Sequence, residues 1–323
     1  MNSRHVEERI GQTLRSRWRV FVATRQCRWL QPLVAVLLIF HLFQQPSAAQ
    51  GTVAFYFAAH EDDWQLFMNP DAYDDVRSQA TRVVFVYLTA GDAGAGSGNA
   101  GRSQPYYLAR ENGAKMSVMF MADGERTPAR AETSTVTVSG HAVVRWAYRN
   151  TASYFLRLPD GNMEGAGYAA TGWQSLQRLH QVERSSIEAV DGSTIYRDWS
   201  DLTATLREVI ASERQSGEAV WINIPDPDAS RNGGDHSDHR YVAVAVIDAV
   251  ADVPCINRAL YLDYAAAALG ENLTTPEREV KAATFAAAGL GVNAFDHAGN
   301  WDTPHRRLLS RRYVHRIPAI APC

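Results

Sequence analysis

Three nearly continuous apolar runs of strand length constrain the fold of this 323-residue chain more than any other feature. They cover Val53–Ala59, Arg82–Ala90 and Ala219–Ile224. A strand with one face in water alternates apolar and polar residues, whereas a continuous apolar run suits a strand that is buried on both faces. Such strands occur in sheets that helices cover on both sides. The runs therefore predict the parallel core of an α/β domain.

Helix-like segments lie between and after these runs. The spacing of apolar residues predicts helices over Tyr106–Met121, Asp201–Gln215 and Tyr241–Ala251. Strand and helix alternate, which favours a Rossmann-like three-layer α/β fold with a mostly parallel sheet. Thr133–Val144 and Tyr154–Leu158 are richer in β-branched and aromatic residues, and they predict an antiparallel addition to the sheet. No internal repeat or linker interrupts this pattern, so we expect one domain.

The N-terminus has a different composition. Residues 1–29 carry seven arginines, and an apolar stretch over residues 30–43 precedes Ser47-Ala48-Ala49. This order of basic region, short apolar core and small residues is typical of a secretory signal. We therefore expect residues 1–49 to be a signal peptide and the protein to be exported, to the periplasm or the extracellular space. The alternative is a membrane anchor through residues 30–43, although a membrane-spanning helix needs about 20 apolar residues.

Charge and cysteine content limit the classes of partner. The seven arginines and two glutamates of residues 1–49 contribute +5 to the whole-chain charge of −3, which leaves −8 on residues 50–323. An acidic protein without basic runs repels phosphates, so we expect no nucleic-acid partner, and membrane contact only through an uncleaved leader. Cys255 and Cys323 are too few for a Cys-rich metal site, and they form either one disulfide or two separate thiols.

Two polar clusters rich in metal-ligating residues follow apolar runs. His60-Glu61-Asp62-Asp63 comes directly after Val53–Ala59, and His236-Ser237-Asp238-His239 lies downstream of Ala219–Ile224. A catalytic metal site needs three nitrogen or carboxylate ligands and one open position, and hydrolysis needs a further carboxylate as base. Either cluster alone is also an ordinary polar loop, but together they indicate a metal-dependent hydrolase. Five isolated histidines are weaker candidates as ligands: His141, His180, His297, His305 and His315.

The two clusters resemble the motifs of a known family. Ala59–Asp63 resembles the Ala-His-Pro-Asp-Asp motif of the PIG-L/LmbE-like zinc-dependent de-N-acetylases, and His236–His239 resembles their His-Xaa-Asp-His motif. Leu88–Asp92 and the Arg110-Glu111 pair are also similar to this family. The resemblance covers about residues 53–250 of a predicted domain over residues 51–323, whose C-terminal extension remains unassigned.

The resemblance implies a role for each motif residue. Asp62 corresponds to the general base, which takes a proton from the attacking water. His236, oriented by Asp238, corresponds to the group that stabilises the tetrahedral intermediate and protonates the leaving amine. Zn²⁺ would lower the pKa of its water and polarise the amide carbonyl. The zinc ligands that the resemblance implies are His60, Asp63 and His239.

The sequence departs from the first family motif at two positions. Glu61 stands in place of the usual proline, and Trp64 in place of an acidic or small residue. Neither change removes a metal ligand, but both leave the identity of the substrate open. Trp64 either stacks on a sugar face or packs beneath the loop, and with Asp92 and Arg110 it is a candidate substrate-binding residue.

These observations predict an exported zinc-dependent hydrolase that removes an N-acetyl or similar acyl group from an amino sugar or glycoconjugate. The sequence leaves two alternatives open: the same chemistry on a non-sugar amide, and a carbohydrate-binding protein that kept the fold and lost turnover. Asp62 and His236 argue against the second alternative, because binding alone needs neither a base nor an acid.

Overall fold

The computed structural model describes residues 51–319 of the protein. Residues 1–49, predicted to be a signal peptide or anchor, lie outside the described residues, and so does Cys323, the predicted alternative partner of Cys255. Over residues 51–319, none of the helices combines the length and the apolar character that crossing a membrane requires.

Strands and helices alternate along the described part of the chain. The strands are β1 (Thr52–Ala58), β2 (Thr81–Thr89), β3 (Glu132–Val138), β4 (His141–Tyr148), β5 (Thr151–Leu158), β6 (Ile187–Glu188), β7 (Ile195–Tyr196), β8 (Ala219–Pro225), β9 (Ile256–Tyr261) and β10 (Val314–Ile317). The α-helices are α1 (Asp71–Arg77), α2 (Tyr106–Asp123), α3 (Leu176–His180), α4 (Trp199–Glu213), α5 (Ser237–Ala249), α6 (Thr275–Asn293) and α7 (Thr303–Arg306). A π-helical turn covers Trp64–Met68, and short 3₁₀ turns cover Ala169–Thr171, Tyr264–Ala268 and Arg307–Ser310.

Eight of these strands form one sheet in the order β10-β9-β8-β1-β2-β5-β4-β3. The five strands from β9 to β5 in this order pair in parallel. At one end β10 pairs antiparallel with β9, and at the other end β4 and β3 continue antiparallel beyond β5. The short strands β6 and β7 form a separate antiparallel pair. The predicted mostly parallel sheet with an antiparallel addition is confirmed.

Helices cover both faces of the sheet, which explains the continuous apolar runs. Phe55 and Phe57 of β1 pack on one side, in a core shared with α3, α4 and α5. Tyr56, between them, packs on the other side in a core shared with α1, α2 and α6. Burial of a side chain of this size contributes about 1.5–3 kcal/mol. The three-layer, Rossmann-like α/β architecture is thus the one predicted from the sequence.

The structure refines several predicted elements. The predicted antiparallel segment Thr133–Val144 forms parts of the β3–β4 hairpin, which turns at Ser139-Gly140 with φ of 50° and 88°. Tyr154–Leu158 belongs to β5, which is antiparallel to β4 but parallel to β2. Helix α5 begins at Ser237 and not at Tyr241, because the polar residues of its first turn face the candidate site and interrupt the apolar pattern.

The segment beyond residue 250 is part of the same sheet and of the same helical layer. Strand β9 pairs with β8, and helix α6 packs along α2. The residues that follow β9 and α6 therefore lie near the carboxyl ends of the parallel strands, where open α/β sheets place their ligand sites.

Candidate metal and catalytic site

The first polar cluster forms a tight turn at the carboxyl end of β1. The backbone N–H of His60 donates to Asp63 Oδ2 at 2.8 Å, and the N–H of Asp63 donates to the carbonyl of His60 at 3.3 Å. These bonds close the turn and bring the side chains of His60 and Asp63 together. The distance from His60 Nδ1 to Asp63 Oδ1 is 3.4 Å. The π-helical turn that follows fixes the end of the cluster against the core.

The second polar cluster forms the first turn of helix α5. His236 is the N-cap residue, and its Nδ1 accepts a hydrogen bond from the backbone N–H of Asp238 at 3.1 Å. The helix then places His239 one turn after Asp235, whose Oδ1 lies 2.9 Å from His239 Nδ1. Strand β8, which leads to this helix, is the direct neighbour of β1 in the sheet. The two clusters therefore meet at one edge.

Three donor atoms from these clusters form a nearly equilateral triangle. His239 Nε2 lies 3.3 Å from both His60 Nδ1 and Asp63 Oδ1, and the His60–Asp63 distance is 3.4 Å. A tetrahedral metal ion with ligand bonds of about 2.0–2.1 Å has ligand–ligand edges of about 3.3–3.4 Å. The three side chains are buried, and together they could hold a metal ion with one coordination position left over. The structure thus brings the three predicted ligands together, and their role as metal ligands stays a prediction.

Negative charge surrounds this triangle on the side of His239. Its Nδ1 faces Asp263 Oδ2 at 3.2 Å in addition to Asp235, and Asp263 is fully buried. Burial lowers the pKa of His239, but the carboxylates of Asp235 and Asp63 outweigh it, so the pKa is raised. Burial and the charge of Asp235 raise the pKa of Asp263. Carboxylates that hold the far nitrogen of a ligating histidine fix its orientation and tautomer.

The carboxylate of Asp62 lies beside the triangle and is held by donors on both of its oxygens. Arg110 of α2 forms an ion pair with Oδ1, and Asn300 Nδ2 donates to Oδ2 at 2.8 Å. Arg110 is in turn fixed by Glu61 Oε2 at 3.1 Å and by the carbonyl of Gly91 at 3.1 Å. About 15 % of the Asp62 side chain is exposed, and it lines a small pocket together with Arg110 and Asn300. A partly exposed carboxylate of this kind can accept a proton from water.

A second group of side chains lines the cleft beside His60. Because His236 Nδ1 accepts a hydrogen bond, its ring proton is on Nε2, which faces Asp160 Oδ1 at 3.7 Å. Burial and the nearby charge of His60 lower the pKa of His236 to about 4. The Nε2 atom of His60 lies 3.5 Å from Asp238 and 3.7 Å from Asp160. The geometry thus places a ring N–H of His236 on Nε2, on the side of Asp160.

The comparisons with known proteins identify the family of this chain. Residues 55–250 match the family described as PIG-L: GlcNAc-PI de-N-acetylase, which is more than half of the chain. The chain belongs to the PIG-L family. Among solved structures, N,N'-diacetylchitobiose deacetylase from Pyrococcus horikoshii, complexed with its inhibitor MPG, is 14% identical, with a TM-score of 0.45 over 92% of this chain and 95% of that one. A search of curated proteins found no match.

The three predicted substrate-binding residues of this PIG-L domain have structural partners. Trp64 is fully buried, its indole N–H donates to the Tyr87 hydroxyl at 2.7 Å, and it therefore packs beneath the loop and offers no face to a sugar. Asp92 is also buried, and its carboxylate accepts the backbone N–H of Asp160 at 2.9 Å. Arg110 holds Asp62. Arg110 also lines a small pocket with Asp62 and Asn300, so a role of Arg110 and Asp92 in substrate binding stays a prediction.

Asp238 lies close to both His60 and His236. Its Oδ2 accepts the backbone N–H of Gly161 at 2.7 Å, and it lies 3.5 Å from His60 Nε2 and 3.8 Å from His236 Nδ1. A Cβ atom at Gly161 would collide with this carboxylate, so the turn after β5 requires glycine there. The backbone N–H of Asp238 holds His236 Nδ1, and the orienting role that the resemblance implies for the Asp238 carboxylate stays a prediction.

Four residues of the site were not predicted from the sequence. Asp160 and Asp263 each come two residues after a strand, the same signal that identified His60, and counting such carboxylates would have found both. Asp235 directly precedes the second motif. Asn300 lies 238 residues from Asp62 and has no motif around it, so no sequence signal pointed to it.

Proposed function

We propose that this PIG-L protein is a zinc-dependent hydrolase that removes an N-acetyl or similar acyl group from an amino sugar or glycoconjugate. The observation that carries the proposal is the 3.3–3.4 Å triangle of His60, Asp63 and His239 beside the carboxylate of Asp62. Three metal ligands alone would also fit a metal ion with a purely structural role. The accessible carboxylate beside it is what hydrolysis requires in addition.

The donor set supports zinc as the metal ion. Two imidazole nitrogens and one carboxylate oxygen, with a fourth position open, are the usual ligands of catalytic zinc. Magnesium and calcium prefer sites built from oxygen donors alone, and iron–sulfur or copper(I) sites need thiolates. When bound, zinc would activate a water molecule and polarise the amide carbonyl.

Side chains of the protein carry out the proton transfers and stabilise the developing charge. Asp62 accepts a proton from the attacking water as the oxygen bonds to the carbonyl carbon. The N–H at His236 Nε2 donates a hydrogen bond to the developing oxyanion. The proton that Asp62 takes up passes to the leaving amine when the carbon–nitrogen bond breaks, either directly or, as the resemblance implies, through His236. The products are a carboxylic acid and a free amine.

The family description supports an amino sugar as the substrate class, because it names a GlcNAc-linked lipid as the substrate of the family.

Acetate release from a panel of N-acetylated amino sugars, glycoconjugates and non-sugar amides tests the proposal. The wild-type protein should release acetate from an amino sugar, lose this activity with a chelator and regain it with zinc. Asp62→Asn is the matched inactive control. Release from the non-sugar amides alone would give a different substrate class, and sugar binding without any release would make the protein a binding module.

A further inference from the structure

A side chain from outside the family-matched residues reaches the candidate base. Asn300 follows helix α6, about fifty residues beyond the end of the PIG-L match at residue 250. Its Nδ2 donates to Asp62 Oδ2 at 2.8 Å, while Arg110 occupies Oδ1. The carboxylate is thus held from both sides, by one donor inside the family match and one donor outside it.

Helix α2, which carries Arg110, and helix α6, which precedes the segment with Asn300, are in close backbone contact. A Cβ atom at Gly113 would lie 2.7 Å from the carbonyl oxygen of Ala288, and one at Gly291 would lie 2.7 Å from the Gly113 Cα. Asn112 Nδ2 also donates to the carbonyl of Gly291 at 2.8 Å. Such contact leaves no room for one helix to slide along the other. The spacing of the two donors is therefore set by the fold.

The segment that carries Asn300 is anchored independently of Asp62. The backbone N–H of Gly299 donates to Asn293 Oδ1 at 3.0 Å, and a Cβ atom at Gly299 would lie 2.8 Å from the Gly289 Cα. His297 bridges to the loop before α2, with Nε2 2.9 Å from the carbonyl of Gln104 and Nδ1 2.7 Å from Arg102. These anchors present Asn300 to the site whether or not Asp62 is there.

We propose that Asn300 is a positioning residue for Asp62, and the proposal rests on the function proposed above. With Arg110 as its single donor, the carboxylate can turn about its last side-chain torsion. A second donor on the other oxygen fixes its plane. Each carboxylate oxygen can accept two hydrogen bonds, so Asp62 keeps acceptor capacity for the proton of the attacking water. The C-terminal extension is thereby part of the catalytic apparatus.

Kinetics of the zinc-loaded, full-length protein test this role. Asn300→Ala should lower kcat roughly 10–100-fold, because a misplaced base costs that much, while KM and zinc stoichiometry change little. Asn300→Asp keeps the shape but places an anion against Asp62, and it should lose more. Asn272→Ala is the matched control, because Asn272 hydrogen-bonds Arg312 in the same C-terminal extension, away from Asp62. An equal loss in both alanine variants would overturn the proposal.

A double-mutant cycle separates positioning of Asp62 from a general structural effect. In the Asp62→Asn background Asn300→Ala should cost no further kcat, because the group that it positions is gone. Fully additive losses would contradict the proposal.

If the wild-type protein hydrolyses no substrate in the panel, the proposed function fails, and the contact is still tested by thermal unfolding. Asp62→Ala and Asn300→Ala should then be non-additive in unfolding midpoint. Additive midpoints would mean that Asn300 does not hold Asp62.

Discussion

The replacement of Asp263 by asparagine should have opposite effects on the metal-free and the zinc-loaded protein. Over residues 51–319 neither oxygen of this buried carboxylate has a hydrogen bond of good geometry, and its nearest anionic neighbour is Asp235. A buried carboxylate without donors costs stability. The imidazole of His239, whose Nδ1 lies 3.2 Å from Asp263 Oδ2, offsets part of this cost. Asp263→Asn should therefore stabilise the metal-free protein and weaken zinc binding.

The loss of zinc affinity in Asp263→Asn should be small, because two carboxylates, Asp235 and Asp263, lie at His239 Nδ1 and one of them remains. Loss of a partner of a ligating histidine typically costs 10–100-fold in metal affinity. Asp235 remains at 2.9 Å after the substitution, so we expect the lower end, about 10-fold or ~1.4 kcal/mol. At zinc concentrations near 100 times the wild-type Kd, the stabilisation by zinc falls from about 2.7 to about 1.4 kcal/mol. For a domain of this size the zinc-induced rise in Tm should shrink by roughly 2–3 °C.

Differential scanning calorimetry with and without zinc, together with titration calorimetry, measures both effects. Asp201→Asn is the matched control: its carboxylate accepts hydrogen bonds from Arg197 at 2.9 and 3.0 Å, far from the candidate ligands. That variant should lower the Tm of the metal-free protein and leave the zinc-induced rise unchanged. The reasoning is refuted if Asp263→Asn lowers the metal-free Tm and keeps the wild-type zinc affinity.

Three further predictions concern the base, a buried lysine and the N-terminus. Asp62→Asn should keep bound zinc by metal analysis and lose about 10²–10⁴-fold in kcat, whereas His60→Ala should lose the zinc. Burial and the charge of Arg312 lower the pKa of Lys281 to about 7, so the unfolded chain binds more protons between pH 7 and about 10. In this window wild-type stability should rise by up to about 1.4 kcal/mol per pH unit from this group, and denaturant titrations of Lys281→Met should lack that rise. We also propose export: N-terminal sequencing of secreted protein should begin near residue 50, and a membrane-bound protein that still begins at Met1 would show an anchor instead.

The core of the fold and the ligand triangle could be predicted because local sequence carries both signals. Continuous apolar runs occur where helices cover both sheet faces, as Phe55 and Tyr56 show by packing into opposite cores. Polar residues directly after such runs lie at the carboxyl edge of the sheet, which brought His60 and His239 together. The resemblance to the PIG-L motifs then distinguished ligands from their neighbours.

What could not be predicted depends on contacts between distant segments. The sequence of β5 does not say that its two neighbours run in opposite directions, since strand pairing is a tertiary property. Trp64 was ambiguous because an aromatic side chain beside a motif suits a core and a sugar equally well. Its hydrogen bond to Tyr87 inside the second core places it in the core.

The C-terminal extension shows why a motif search alone underestimates this site. The two motifs supply every predicted ligand and the base, yet the partners that orient them include Asp263 and Asn300, both beyond residue 250. Asp263 lies two residues after β9, and β9 is held in the sheet by its pairing with β8. The position of Asn300 depends on the packing of α6 against α2. A protein truncated at residue 250 would retain all motif residues but lose these two partners. Because orientation of ligands and base governs both affinity and turnover, we propose that the catalytic unit includes the segment after residue 250.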